Sequence, residues 1–545
     1  MPRRKVLVIG LDGYEQSVGD RFIKDGALPA LAALRTRSAR FLLDHGAATR
    51  TGLAWEHASS GRSPEDGGRW SAVHFDRDSY KVWHEGTSLP PFPAALRART
   101  VIFDPPYFDL RLAPSVRGVT NWGAHDPGVA FGARPAELAE ELLARFGPYP
   151  AHECMYEIVW PSPDRTRQMG ELLVRGTQTR ARAAQWILQE RCPDWDLGFV
   201  VVSEFHSAIE AFWHGIDPAH PLHSLPSAPE AARQLLAVYQ AADALIGGLV
   251  SAFPEAVVIA FAMNGMGPNR SDGASMVLLP ELLHRSAFGQ PLLRVPGSWA
   301  DAPQGVPILD GAVDWTQAVK TQISQLPGVL DLARRAAVRV IPEGIRRVLR
   351  SHGDAPVTMP DGTLRLPLDW MPATLYQPYW RTMRCFALPS FYDGRIRINL
   401  AGREAQGIVA PADYAAVCDE VEAAVRACRD LRSGEPVVDH VERCGGGRDP
   451  LTFGPWESDL IIVWRGAALG FTHPSAGNIG PLPFRRTGGH TGPYGMAYLA
   501  GDGIAAGDYG VRPSFDVAPT IIELLGEEVS AGVSGSSLCN SLGNT

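Results

Sequence analysis

Three short apolar runs in this chain each end beside polar residues suited to catalysis or metal binding. Val6-Leu-Val-Ile9 continues through Gly10 and Leu11 into Asp12. Leu197-Gly-Phe-Val-Val-Val-Ser203 leads into Glu204 and His206, and Ala256-Val-Val-Ile-Ala-Phe-Ala262 leads through Met263 into Asn264. Open α/β sheets gather their reactive groups where parallel strands end. Taken singly, each of these residues also suits an ordinary cap or turn role. His206 and Glu210 lie four apart, so on a helix an imidazole and a carboxylate share one face. That pair either chelates one divalent cation or simply hydrogen-bonds to itself. His490 stands in Arg485-Arg-Thr-Gly-Gly-His-Thr-Gly-Pro-Tyr-Gly495, whose glycines let backbone approach a ligand closely. Thr51, in Thr49-Arg-Thr-Gly-Leu-Ala-Trp55, offers a hydroxyl where a helix start and a metal would ease alkoxide formation, although capping is the commoner role.

Positioning those residues requires a particular scaffold. Continuous apolar runs of this length suit strands covered on both faces, and further examples are Arg99–Phe103 and Asp459–Trp464. Helical periodicity separates them over 135–146, 169–190, 229–253, 414–431 and 516–525. The alternation predicts an α/β fold with a doubly wound, mostly parallel central sheet and helices on both faces. Two stretches interrupt it: 311–350 reads as helical, and 354–389 is rich in Pro and aromatics, like an ordered cap or lid. The expected organisation is therefore a first part of the core over 1–284, an inserted cap over 285–400, and the rest of the core over 401–545.

Composition excludes several classes. With 545 residues, 45% hydrophobic and 20% charged, the chain is globular, and neither disordered, collagen-like nor coiled coil. A net charge of -8 argues against a nucleic-acid polymer as partner, because that role needs basic patches. Seven scattered cysteines without a CxxC read as reduced thiols. No apolar run reaches the ~18 residues of a membrane span, and the stretch after Lys5 is too short for a signal peptide. The expectation is a cytoplasmic protein acting on a small molecule, with no membrane partner; oligomeric state does not follow from the sequence.

In chain order these motifs resemble the alkaline phosphatase superfamily, most closely its type I phosphodiesterase and nucleotide pyrophosphatase branch. The stretches carrying the resemblance are Val6–Gly13 with Gly26-Ala-Leu-Pro-Ala-Leu31, and Thr51-Gly-Leu-Ala-Trp55 with Gly61-Arg-Ser-Pro64. Ser203–His214, Asn264-Gly-Met-Gly267, Gly394–Leu400 with Gly402-Arg-Glu404, Gly489-His490 and Asp516–Gly526 complete it. The resemblance implies two neighbouring divalent metals, usually zinc, and a Thr or Ser between them that attacks phosphorus. Carried over by position, Thr51 is the nucleophile, Asp12 a ligand of the metal beside it, and His490 a ligand of the other.

Three departures alter that inheritance. His206 and Glu210 stand where the family has Asp then His, Met263-Asn264 replaces an Asp-His pair, and Gly67 falls where a His is often found. A thioether is a poor ligand for a hard ion and an amide brings no charge. One site then keeps His206, Glu210 and His490, while the other keeps only Asp12 and Thr51 with Asn264. The expectation is one tightly held divalent metal, zinc first, with iron or manganese as alternatives. His125 and Asp126 in Asn121–Pro127 either line the pocket or form a turn, and Glu204 is a further pocket candidate. His214, Asp217, His220 and His223 read as loop or lid, with metal binding as the lesser alternative. Gly445-Gly-Gly447 lacks the Lys and Ser/Thr of a P-loop, and no GxSxG elbow occurs.

These readings point to a metal-dependent hydrolase or group transferase acting on a phosphodiester, phosphonate, sulfate or related ester through Thr51. Two alternatives stand beside it. One is a mononuclear zinc or iron enzyme tailoring a small metabolite by non-phosphoryl chemistry. The other is a non-catalytic ligand-binding relative in which Met263 and Asn264 mark decay.

Overall fold

Val6–Leu11 is buried at every position, as a strand covered on both faces must be, and so are Leu197–Val202 and Val257–Ala262. The computed structural model describes residues 4–125, 128–154, 162–309, 314–324 and 356–542. It divides into two compact units, Met1–Arg69 with Gly86–Pro268 and Arg486–Thr545, and Trp70–Glu85 with Asn269–Arg485.

The first unit contains strands β1 (Val6–Leu11), β2 (Ala39–Asp44), β3 (Thr100–Phe103), β4 (Arg117–Thr120), β5 (Gly132–Arg134), β6 (Leu197–Val202), β7 (Val257–Ala262), β8 (Gly265–Pro268), β9 (Gly488–Gly492), β10 (Gly495–Ala500) and β11 (Gly507–Pro513). Nine of them form one sheet in the order β11-β2-β10-β7-β1-β6-β3-β4-β5, while β8 and β9 pair apart from it. β1 runs parallel to β6 and β7, and β3 runs parallel to β6 and β4. β10 is antiparallel to both β7 and β2, and β5 is antiparallel to β4. Two successive reversals leave β2 pointing the same way as β1. The carboxyl ends of β1, β2, β3, β4, β6 and β7 therefore open on one edge of a mixed, mostly parallel sheet.

The longer helices of this unit are α1 (Gln16–Lys24), α2 (Pro29–Thr36), α3 (Ala54–Ser60), α4 (Glu137–Phe146), α5 (Pro163–Trp186), α6 (Glu204–Ile216), α7 (Ala228–Ala252) and α8 (Val517–Leu524). Alternate strand residues, Leu7, Ile9, Leu11, Val200, Val202, Val258 and Ala260, share a core with Leu173, Ala184, Leu235, Tyr239 and Ile246 from α5 and α7. By length and apolar composition α7 is sufficient to cross a membrane. In the fold its Leu235, Val238, Ala242, Leu245 and Leu249 are buried in this core. α5 begins at Pro163 behind Ser162, whose side chain accepts from the Arg165 N–H, a cap-and-proline start.

On the opposite face, α3 lays the Trp55 ring over β1 and β7, with its centroid 5.8 Å from that of Phe261. Gly10 makes the contact possible, because a Cβ there would lie 2.5 Å from the ring.

The second unit departs from the expected division. Leu460–Trp464, read as a strand of the main sheet, instead pairs antiparallel with Gly394–Ile398 and Val438–Arg443 in a separate four-stranded sheet. Its burial alternates along the strand, the period-two mark of a sheet half-covered, rather than running continuously as in β1. Residues 401–485 thus belong with this unit, and the expected cap over 285–400 lies wholly inside it. Tyr414–Arg426 is helical here, and within 354–389 short strands and a 3-10 turn replace a simple lid. Most of the helix expected over 311–350 falls outside the described residues; Trp315–Gln322 is helical. Gly402-Arg-Glu404 builds a buried ion network, Arg403 meeting Asp459 at 2.7 Å and Glu404 at 2.8 Å.

Replacing Gly10 by Ala drives a methyl into the Trp55 ring and to 3.0 Å from Val201 Cγ2. Overpacking of this kind costs about 1–3 kcal/mol. Urea unfolding should show that loss together with altered tryptophan fluorescence, and an unchanged midpoint would refute the packing.

Candidate metal centre

α6 starts directly after β6, so the carboxyl end of that strand delivers His206 in the first helical turn and Glu210 one turn later. The turn after β1 comes up against it. Gly13 has a φ of +74°, and a Cβ there would lie 2.3 Å from the His206 Cα, so only glycine lets Asp12 approach. His206 Nδ1 stands 3.2 Å from Asp12 Oδ1, and its Nε2 stands 3.2 Å from Glu210 Oε1 and 2.9 Å from His490 Nε2. The His125 ring stacks on that of His206 with centroids 3.8 Å apart. His125 Nε2 lies 3.7 Å from Glu210 Oε2, and its Nδ1 is 3.0 Å from Ser207 Oγ.

One ligand atom from each of His125, His206 and Glu210 lies within 4.8 Å of the other two, and all three residues are buried. The expected trio of His206, Glu210 and His490 does meet around His206, but the compact three-donor group takes His125 instead. Sequence reasoning left His125 open between pocket and turn because nothing in a linear spacing shows that the loop after β4 folds back over α6. Asp126 lies outside the described residues. His490 stands on a strand, β9, rather than in a loop. Its Nδ1 meets Asn264 Nδ2 at 2.7 Å, so the amide donates and turns the His490 Nε2–H towards His206. Burial, then the adjacent His206, Arg486 and His125, hold His490 well below the usual histidine range, hence neutral.

The charge on Glu210 is met by a residue outside the expected set. Arg486 donates from Nη1 to Glu210 Oε1, and both side chains are buried. Next to it, the Thr487 N–H donates to the Glu210 carbonyl at 2.8 Å, pinning the strand that carries His490 to α6.

Glu204 does not face the cluster. Both its oxygens accept from Arg180 Nε, at 2.9 and 3.1 Å, and Tyr149 donates to it at 3.0 Å. Arg180 also donates to Asp104 at 2.7 Å and to the Gly123 carbonyl at 2.7 Å, while Asp104 accepts the Trp122 and Gly123 N–H groups. Burial opposes the charge on Arg180, but Glu204 and Asp104 outweigh it and keep the guanidinium protonated. The network holds the 121–125 loop, and so places His125. Asp104 and Asn121 adopt positive φ at the ends of β3 and β4, backbone strain of a kind that collects at functional edges.

Thr51 closes a 3-10 turn, Gly46–Thr51, that leaves the same sheet edge after β2. Its hydroxyl donates to the Ala48 carbonyl at 2.8 Å and accepts the Leu53 N–H at 3.1 Å, so both bonds are local. Leu53, not Thr51, is the cap residue of α3. Before this turn stands His45, whose Nδ1 meets Ser514 Oγ and whose Nε2 meets His57 Nδ1 at 3.0 Å, a buried clamp across the turn and α3.

The donor set fits a divalent cation. It combines imidazoles and carboxylates, and the buried Asp12 Oδ2 has no hydrogen-bond partner, as a group completed by a further ligand does. His214, His220 and His223 form no such group: His214 Nε2 bonds to Ser227 and His223 Nδ1 to the His214 carbonyl.

No family profile matches the sequence, and no curated protein matches it. Solved structures do. The phosphonoacetate hydrolase of Sinorhizobium meliloti 1021, in complex with phosphonoformate, is 14% identical over 96% of each chain, with a TM-score of 0.50. The alkaline phosphatase PafA is 11% identical over 99% of each chain, also at 0.50. At these identities the likeness is one of fold, an alkaline phosphatase-like α/β fold.

Burial pushes His45 down to about 3 and holds His57 well below the ordinary value of 6.5. Unfolding restores ordinary histidines, so the unfolded chain takes up protons as pH falls through about 6.5, and stability drops with it. Between pH 6.5 and 5 the loss is about 2 kcal/mol per histidine. Urea midpoints should fall over that window and fall less steeply in His57→Gln. A slope unaffected by that change would contradict the buried neutral pair.

Proposed function

We propose, from the alkaline phosphatase superfamily fold as premise, that this protein is a metal-dependent hydrolase or group transferase. Its substrate is a phosphodiester, phosphonate or related ester, and Thr51 is the nucleophile. The observation carrying the reading is the gathering of His125, His206 and Glu210 at the sheet edge from which the Thr51 turn also departs. The ester class is supported by the neighbours, one named a phosphonoacetate hydrolase and solved with a phosphonate, the other an alkaline phosphatase.

His125, His206 and Glu210 would hold one divalent cation, zinc first and iron or manganese next, with Asp12 beside the far nitrogen of His206. When bound, that ion supplies positive charge to offset the negative charge on the transferring group. The chain does the rest. The Leu53 N–H on Thr51 Oγ eases build-up of negative charge there, while the Thr51 hydroxyl proton, now directed at the Ala48 carbonyl, passes to solvent water as attack begins. The Thr51 Oγ–phosphorus bond forms as the bond to the leaving group breaks, and the leaving group departs with the electron pair and takes a proton. Water, or an acceptor alcohol in a transferase, then attacks the same phosphorus, loses its proton, and returns Thr51. Asn264 holds His490 with a nitrogen-bound proton directed at the cluster, where it can hydrogen-bond to developing negative charge.

The Arg486–Glu210 pair favours one second reading, an oxyanion-binding relative without turnover. A panel of aryl phosphodiesters and phosphonates, assayed with the zinc-, iron- and manganese-loaded protein, separates the two. Thr51→Ala should lower turnover about 10³-fold or more, and acid quenching of the wild type should trap phosphoryl-Thr51. Full turnover by Thr51→Ala would exclude this nucleophile; binding of the panel with no turnover by the wild type would select the second reading.

A further inference from the structure

Arg486 poses a conflict within the site. Its guanidinium is bound to Glu210 Oε1, the oxygen 3.2 Å from His206 Nε2. A cation bridging His206 Nε2 and the Glu210 oxygen nearest it would share Oε1 with the guanidinium, setting two positive charges on one atom. Neither is displaced into water at no cost, because Arg486 and Glu210 are both buried. We propose that Arg486 is an exchangeable counter-ion. It balances Glu210 while the metal position is empty, and a divalent cation drives it off the carboxylate to bind the oxyanion of the ligand.

Charge balance supports the exchange. Metal-binding imidazoles are neutral. Asp12 and Glu210 together carry two negative charges and Arg486 one positive, so adding a dication leaves this group one unit positive. An oxyanion is the ligand that closes that balance. The local architecture confines the change to a side chain. The backbone beside Arg486 stays anchored, since the Thr487 N–H holds the Glu210 carbonyl at 2.8 Å and the Thr487 hydroxyl holds it at 3.2 Å. A guanidinium leaving Oε1 therefore remains at the cluster, with a planar fork of donors suited to phosphate or phosphonate oxygens. The consequence is positive coupling, in which metal tightens oxyanion binding and oxyanion tightens metal binding by the same factor.

The inference rests on the proposed function only in taking the ligand to be an oxyanion, and its test uses no ester and no turnover. Zinc alone and inorganic phosphate alone serve as probes, titrated calorimetrically into chelator-treated full-length protein, each with and without the other. In wild type, zinc and phosphate should tighten each other's binding equally. Arg486→Met removes the competitor, so zinc should bind at least tenfold more tightly and the coupling factor should shrink. Glu210→Gln removes the carboxylate charge that holds the guanidinium without metal, so metal-free phosphate binding should tighten relative to wild type. Should that variant unfold in a thermal melt, the Arg486→Met titration decides alone. Unchanged or weaker zinc binding by Arg486→Met, or phosphate affinity indifferent to zinc in wild type, would overturn the proposal. Coupling without turnover of any ester would leave this exchange standing and remove the catalytic reading; turnover without coupling would do the reverse.

Discussion

A buried carboxylate cannot be left without a counter-charge, and Glu210 is that carboxylate here. It stands one helical turn from His206, within reach of His125, and against Arg486. Taking an ion out of water carries a penalty of several kcal/mol that only close partners offset. Whatever occupies this centre must therefore satisfy Glu210 first. The imidazoles around it offer nitrogen donors, Arg486 offers a fixed positive charge, and the competition between them shapes what the centre can hold.

The fold meets this constraint through strand direction and a few close contacts. Parallel β1, β6 and β7 bring Asp12, His206 and Asn264 to one edge, and β2 reaches the same edge after two reversals. Gly13 allows the Asp12 turn to lie against α6, and the Trp55 ring over Gly10 anchors the helix that follows Thr51. Further out, Arg180 ties Glu204, Asp104 and Gly123 together, which fixes the loop bearing His125. Four elements far apart in the chain thus meet at one imidazole, His206.

Much of this was legible in the sequence, and the failures are instructive. Continuous apolar runs identified β1, β6 and β7, and the polar residues after them identified the edge, because strand ends are local in sequence. The four-residue spacing of His206 and Glu210 survived for the same reason. Asp459–Trp464 misled because an antiparallel strand with a half-covered face is as rich in Leu, Ile and Val as a fully buried one. Glu204 misled because its partner, Arg180, lies on another helix, and only the fold shows that both carboxylate oxygens are spent on it. His125 and Arg486 carried no spacing signal at all. Their roles come from loops whose return to α6 is set by tertiary packing.

Zinc K-edge absorption spectroscopy on protein loaded with one equivalent of zinc examines the coordination claim most directly. The expected spectrum shows imidazole scattering from two histidines and a carboxylate oxygen in the first shell, with one imidazole lost in His125→Ala. A shell without imidazole, or one unaltered by that substitution, would contradict a cation held by His125, His206 and Glu210.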